Sequence, residues 1–183
     1  MTRPSSAPED PDPAQPPAPT PDRFRSVLGR FVTGVTVMTA VADDGEPHGM
    51  TANAVASVSL TPPLVLVCVD RTAIMADVVA ASGHFALTIL TAEQEGWSRW
   101  FADPDRPTGR GQFAGVATTT AATGSPVLAD GLAWLDCRVR STYDGGDHVI
   151  VVGEVVALDQ TADAAAVPLL YDRGEYAHIS PRA

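Results

Sequence analysis

Along most of this chain apolar residues alternate with polar or small ones, and helical spacing is confined to three short segments. Near the start, Phe24, Val27, Leu28 and Phe31 form one apolar stripe, which predicts a helix capped by Asp22 and packed on a sheet. The run 35–41 after Gly34 predicts a strand, Asp43-Asp44-Gly45-Glu46-Pro47 a turn, and the segment from His48 onward the second strand of a hairpin. Pro62-Pro63 is expected to stop pairing, with a fully buried strand at 64–69 and a short helix at 72–81 closed by Gly83. Another strand is expected at 84–90, and Thr91-Ala92-Glu93-Gln94 has the spacing of a capping box opening a helix that runs to about Phe101. Beyond a polar loop at 102–115, Ala133, Leu135, Cys137 and Val139 alternate with Trp134, Asp136, Arg138 and Arg140, the period of a half-buried strand. Tyr143-Asp144-Gly145-Gly146 supplies a turn, 148–158 the return strand, and 169–171 with 176–179 a last short hairpin.

Six or more antiparallel strands with two or three short helices predict a mostly β domain, a small closed or partly closed barrel rather than a doubly wound parallel sheet. The 183 residues suffice for one such domain, assigned to 22–183. Residues 1–21 hold eight prolines and no aromatic or branched aliphatic residue, so they are expected to be a disordered tail. That tail has no apolar centre like a secretory signal, and no run is long enough to span a bilayer, which predicts a cytoplasmic protein. Net charge is −10, with 12 Arg and no Lys, which argues against nucleic acid or an anionic membrane as the partner and removes Schiff-base and P-loop lysine chemistry. Cys68 and Cys137 lie in apolar strands without a Cys-x-x-Cys spacing or a neighbouring His, so they read as reduced core thiols, with no metal site.

The segment 49–70 departs from an ordinary core pattern. Ala52, Ala54 and Ala56 leave room beside the backbone, while Thr51, Asn53, Ser57 and Ser59 offer donors and acceptors, a combination suited to a large flat ligand. Asp70-Arg71-Thr72-Ala73-Ile74 leads from a strand into a helix and presents backbone N–H groups to which a phosphate could bind. Thr72 as a plain N-cap and Arg71 as a solvated side chain account for the same residues equally well. His148, at a strand end beside Gly145-Gly146-Asp147, can reach into a cleft, and a surface imidazole paired with Asp147 is the plainer alternative. No Gly-x-Ser-x-Gly, His-Glu-x-x-His or strand-borne Gly-x-Gly-x-x-Gly is present, which removes the common hydrolase, metalloprotease and Rossmann readings. Trp97, Trp100 and Phe101 read as packing residues.

Taken together, Phe31-Val32-Thr33-Gly34-Val35-Thr36-Val37, the segment 49–63, Ser82-Gly83-His84-Phe85-Ala86-Leu87 and Gly146-Asp147-His148 resemble the short-chain flavin reductases, whose fold is the FMN-binding split β-barrel with antiparallel, Greek-key-like strands. The resemblance implies an NAD(P)H:flavin oxidoreductase that takes hydride from nicotinamide C4 to flavin N5 and hands reduced FAD or FMN to a partner monooxygenase. It places Thr51, Ala52, Asn53, Ser57, Val58 and Ser59 along the isoalloxazine and ribityl chain, Cys68, Asp70, Arg71, Thr72 and Ala73 toward the phosphate, and Phe85 against the same ligand. His148 is the implied catalytic residue, NADH or NADPH the donor, and a homodimer the implied assembly. Relatives commonly carry Ser at Ala73 and Arg-Phe at Gln112-Phe113, so phosphate binding shifts toward backbone N–H groups and Arg71. A flavoprotein that keeps its flavin for its own substrate, and a non-catalytic flavin carrier, are the competing readings.

Overall fold

The computed structural model describes residues 18–179, so most of the expected tail lies outside the described residues. A first helix, α1 (Pro21–Leu28), leads into strands β1 (Thr33–Gly34), β2 (Thr36–Val41), β3 (Pro47–Ala52), β4 (Val55–Leu60) and β5 (Pro63–Asp70). Helix α2 (Ile74–Ser82), strand β6 (His84–Ile89) and helix α3 (Glu95–Ala102) follow. A two-stranded arm, β7 (Thr118–Thr120) and β8 (Pro126–Leu128), precedes a long hairpin of β9 (Ala133–Gly145) and β10 (His148–Gln160), and β11 (Leu170–Asp172) with β12 (Glu175–Ala177) closes the chain.

The main sheet has the order β3-β2-β6-β9-β10-β5-β4, with every neighbouring pair antiparallel. Its two edges, β3 and β4, are consecutive in the chain and joined only by Asn53 and Ala54. Seven strands laid flat would hold those edges about 29 Å apart, whereas a two-residue link reaches roughly 10 Å. The sheet therefore curls until the edges approach, and because no ladder joins β3 to β4 the barrel stays split there.

The lumen is filled by Met38, Val65, Val67, Val69, Phe85, Leu87, Cys137 and Val151, with Met75 and Val79 of α2 plugging it. A second core on the outer face of β2 and β6 joins Val35, Val37, Leu90, Phe101, Val116, Leu128 and Leu169, flanked by Trp97 and Trp100 as the sequence predicts. Local signals act as expected at two points. Gly83 closes α2 in the left-handed region at φ 67°, and Thr91 with Gln94 forms the capping box that opens α3 through a single 3-10 turn.

Several expectations give way. The cap of α1 is Thr20, whose hydroxyl accepts from the Arg23 N–H at 3.3 Å, with Pro21 in the first turn and Asp22 inside the helix. No residue of α1 is buried, and Phe24, Leu28 and Phe31 stay largely exposed, so the apolar stripe does not pack on the sheet as predicted. Pro62-Pro63 does not end pairing, because Pro63 opens β5 opposite Leu60 and only Pro62 lies in the β4–β5 hairpin turn. Strand β5 is half-buried, with Val65, Val67 and Val69 inward and Leu64, Leu66 and Cys68 on the partly open outer face, so Cys68 is not a core thiol. Cys137 is, and burial, reinforced by the neighbouring Asp136 charge, pushes its thiol up to about 12. The 102–115 loop contains a 3-10 turn (Gly109–Phe113) that inserts Gln112 completely into the interior, where its amide accepts from Gly49 N–H at 2.9 Å. Asp136, on the polar phase of the β9 alternation, is also fully buried, covered by the preceding loop and held by the Thr123 N–H at 2.7 Å and the Thr123 hydroxyl at 2.5 Å.

Candidate functional site

The unpacked face of α1 and the outer face of β4 and β5 enclose a groove of about 620 Å³. Phe24, Leu28 and Phe31 form one wall, Ala54, Ala56, Leu66 and Cys68 the opposite wall, and Thr33, Asn53 and Tyr171 one end. Small residues on β4 keep that wall flat, and the volume falls in the range of small-molecule sites. The sequence signal of alternating alanines thus becomes a surface, and its apolar lining suits a flat aromatic ligand.

Strand parity decides which predicted residues reach it. Thr51 and Asn53 point outward: the Thr51 hydroxyl donates to Ser98 O at 2.6 Å, and the Asn53 amide donates to the Thr33 hydroxyl at 3.2 Å. Both line a small recess of about 170 Å³ beside Tyr171 and Tyr176, next to the groove. Ala52 points into the lumen, and its carbonyl is engaged by the Thr36 hydroxyl at 2.7 Å. Phe85, expected to contact the ligand, is fully buried in the lumen core and does not line the groove. Ser57, Val58 and Ser59 continue along β4 past the groove; Val58 is the extra residue of a bulge, and Ser59 accepts from the Thr61 N–H at 3.2 Å in the hairpin turn.

The groove ends at a polar cluster built on the C-terminal end of β5. Cys68 and Asp70 share the outer face of that strand. In the ladder to β10, Cys68 lies opposite Ile150 and Asp70 opposite His148, which brings the imidazole beside the groove wall. The Asp70 carboxylate accepts from both the N–H and the hydroxyl of Thr72 at 2.7 Å, and these bonds hold it below the usual carboxylate range. Thr72 is therefore not the helix cap. Ala73 occupies that position and contributes no side-chain bond, leaving the first-turn N–H groups of α2 without a side-chain acceptor.

His148 Nδ1 lies 2.8 Å from the Asp147 carboxylate. The His148 bond, followed by its charge, holds Asp147 below the usual carboxylate range. An ionised carboxylate has no proton to give, so Nδ1 carries the hydrogen of this bond. The Arg71 side chain turns away from the groove to the α2 side of the sheet. Its Nε donates to Gly146 O at 2.7 Å and its guanidinium pairs with Asp144, at the mouth of a separate cleft. The expectation that Arg71 reaches toward a phosphate is not what the geometry favours, since both bonds hold it against the β9–β10 turn. Nothing in the sequence pattern pairs Arg71 with a carboxylate 73 residues away. Among the described residues no three His, Cys, Asp or Glu side chains gather as a metal site, and no helix is long and apolar enough to cross a membrane.

A split barrel with an apolar groove along β4 and β5, and with an imidazole opposite Asp70 beyond the groove wall, defines a class of small flavin-binding oxidoreductases. The flavin reductase like domain matches residues 28–180, and the chain belongs to that family. The reductase subunit HsaB of a flavin-dependent monooxygenase from Mycobacterium tuberculosis is 41% identical over 163 residues, covering 88% of this chain and 83% of that protein. The NADH:FAD oxidoreductase SgcE6 of Streptomyces globisporus C-1027 has a similar structure, with TM-score 0.83 and 40% identity over 93% of this chain and 100% of that one. BorF, the flavin reductase component of a bacterial two-component tryptophan halogenase, has TM-score 0.81 and 36% identity over 88% of this chain and 99% of its own.

Proposed function

We propose that the chain reduces free flavin, FAD or FMN, at the expense of NADH and releases it to a separate flavin-dependent monooxygenase. The observation that carries this reading is the sharing of one strand face by Cys68, in the groove wall, and Asp70, directly opposite His148. When bound, the isoalloxazine supplies the redox chemistry, its N5 taking the hydride that nicotinamide C4 gives up.

The protein's part is orientation, stacking and exclusion of water. Ala54, Ala56, Leu66 and Cys68 offer a flat apolar wall to one face of the ring, and Phe24, Leu28 and Phe31 approach from the other side. Thr51 and Asn53 supply hydroxyl and amide groups at the recess end. The first turn of α2 presents its uncapped N–H groups and positive dipole end to a phosphate. His148, its Nδ1 hydrogen committed to Asp147, positions the nicotinamide above the groove with its remaining face.

The groove is one-sided: Phe24, Leu28 and Phe31 are 60%, 53% and 73% exposed, and Leu60 at the end of β4 is 90% exposed. Leaving such a patch in water is unfavourable, and a second copy of the chain is the proposed cover, forming a cytoplasmic homodimer with the flavin near the interface. An open groove also suits a flavin that must leave after reduction.

Dialysis provides the test. The chain should lose its flavin on dialysis, NADH oxidation should stop, and either FAD or FMN should restore it. Stoichiometric flavin that survives dialysis would instead assign the chain to flavoproteins acting on a substrate of their own.

A further inference from the structure

We infer that Arg71 is a positioning residue for His148 rather than a ligand for the flavin phosphate. The inference rests on the flavin reductase reading above and concerns one contact network. Arg71 ties the loop after β5 to the β9–β10 turn at three points. Its backbone N–H donates to Asp147 O at 3.1 Å, its Nε donates to Gly146 O at 2.7 Å, and its guanidinium pairs with Asp144. Asp144 also accepts from the Gly146 N–H at 3.1 Å, so the carboxylate braces the same turn from its other end. Asp147, held through its carbonyl, is the residue whose carboxylate fixes the His148 imidazole.

The turn needs such a brace. Gly145 and Gly146 are consecutive, Gly146 has φ 79°, and a glycine pair gives the backbone many alternatives to the one that aims His148. The face that Arg71 occupies points the same way. The residues paired across the two ladders are Asp70 with His148 and Asp144 with Val149. Because faces alternate along a strand, Asp144 and His148 lie on opposite sides of the sheet. Arg71 sits with Asp144 beside Ala76 and Asp77 of α2, on the face of the sheet opposite His148, and both of its side-chain bonds go to the turn.

A positioning role and a phosphate-binding role predict different kinetics. Arg71→Ala and Asp144→Ala should each lower kcat for flavin reduction by roughly tenfold, while the dissociation constants of FMN and of riboflavin, which has no phosphate, stay unchanged, as does the melting temperature. In a His148→Ala background Arg71→Ala should cost nothing further, because the residue it acts through is gone. The Nδ1 hydrogen resonance of His148 should broaden or vanish in Arg71→Ala. Weaker FMN binding with riboflavin unaffected would overturn the proposal in favour of phosphate contact, and an undiminished tenfold loss in the His148→Ala background would overturn it too. A wild-type chain that reduces no flavin would instead remove the functional reading on which the proposal rests.

Discussion

The Phe85 ring occupies the place that any side chain on Gly153 would need: a Cβ there would stand 2.6 Å from the ring's Cζ and 2.9 Å from Cys137 Cβ. Alanine in place of a strand glycine gains roughly 0.5–1 kcal/mol of backbone entropy, but overpacking a filled lumen costs about 1–3 kcal/mol. Gly153→Ala is therefore expected to lower stability by about 1–2 kcal/mol, read as a lower urea midpoint at unchanged slope. Combining it with Phe85→Leu, which clears the space, should cost less than the sum of the two single changes.

Acid should weaken the fold through His48. The ring is 8% exposed, and burial, aided by the nearby Arg106 charge, lowers its pKa from 6.5 to about 4. Between those values the unfolded chain binds a proton that the folded chain refuses, so stability is full above about 6.5 and is lost as pH falls toward 4. Thermal melts across that window should fall in the wild type and fall less in His48→Gln. Parallel slopes in the two proteins would assign the acid sensitivity to other groups.

Much of the barrel is legible in local chemistry. Gly83, the capping box of Thr91 and Gln94, and the turns after β2 and β9 each need only a few adjacent residues, and those signals place the elements correctly. What sequence pattern does not fix is which face each strand presents. Along β6 the four central residues from Phe85 to Thr88 are all buried because both faces are covered, so alternation there gives no direction. Arg71 and Asp144, and likewise Gln112 and Gly49, are partners 73 and 63 residues apart, and no spacing rule connects them before the sheet closes. The α1 stripe was legible, but its partner was not, since no sheet among the described residues buries it.

That unpacked stripe gives an assembly prediction. The wild-type chain should sediment as a dimer, and Phe31→Asp, which places a charge in an apolar contact, should shift it toward monomer and weaken flavin binding together. A monomeric wild type that binds flavin normally would show that the groove is complete within one chain.

His148→Ala should slow hydride transfer by about 10- to 100-fold, the cost expected for a donor held slightly out of line, with little change in flavin affinity because the groove walls are intact. Rapid mixing of the flavin-saturated chain with NADH measures the step directly. An unchanged rate would remove His148 from the reaction.

The central claim is that flavin is turned over as a substrate. The most direct test mixes a small amount of the chain, without oxygen, with NADH and a large excess of free FAD or FMN, and follows the loss of the oxidised flavin's colour. The account predicts that the whole flavin pool is bleached over many turnovers. Bleaching that stops at one flavin per chain, or none at all, would contradict it.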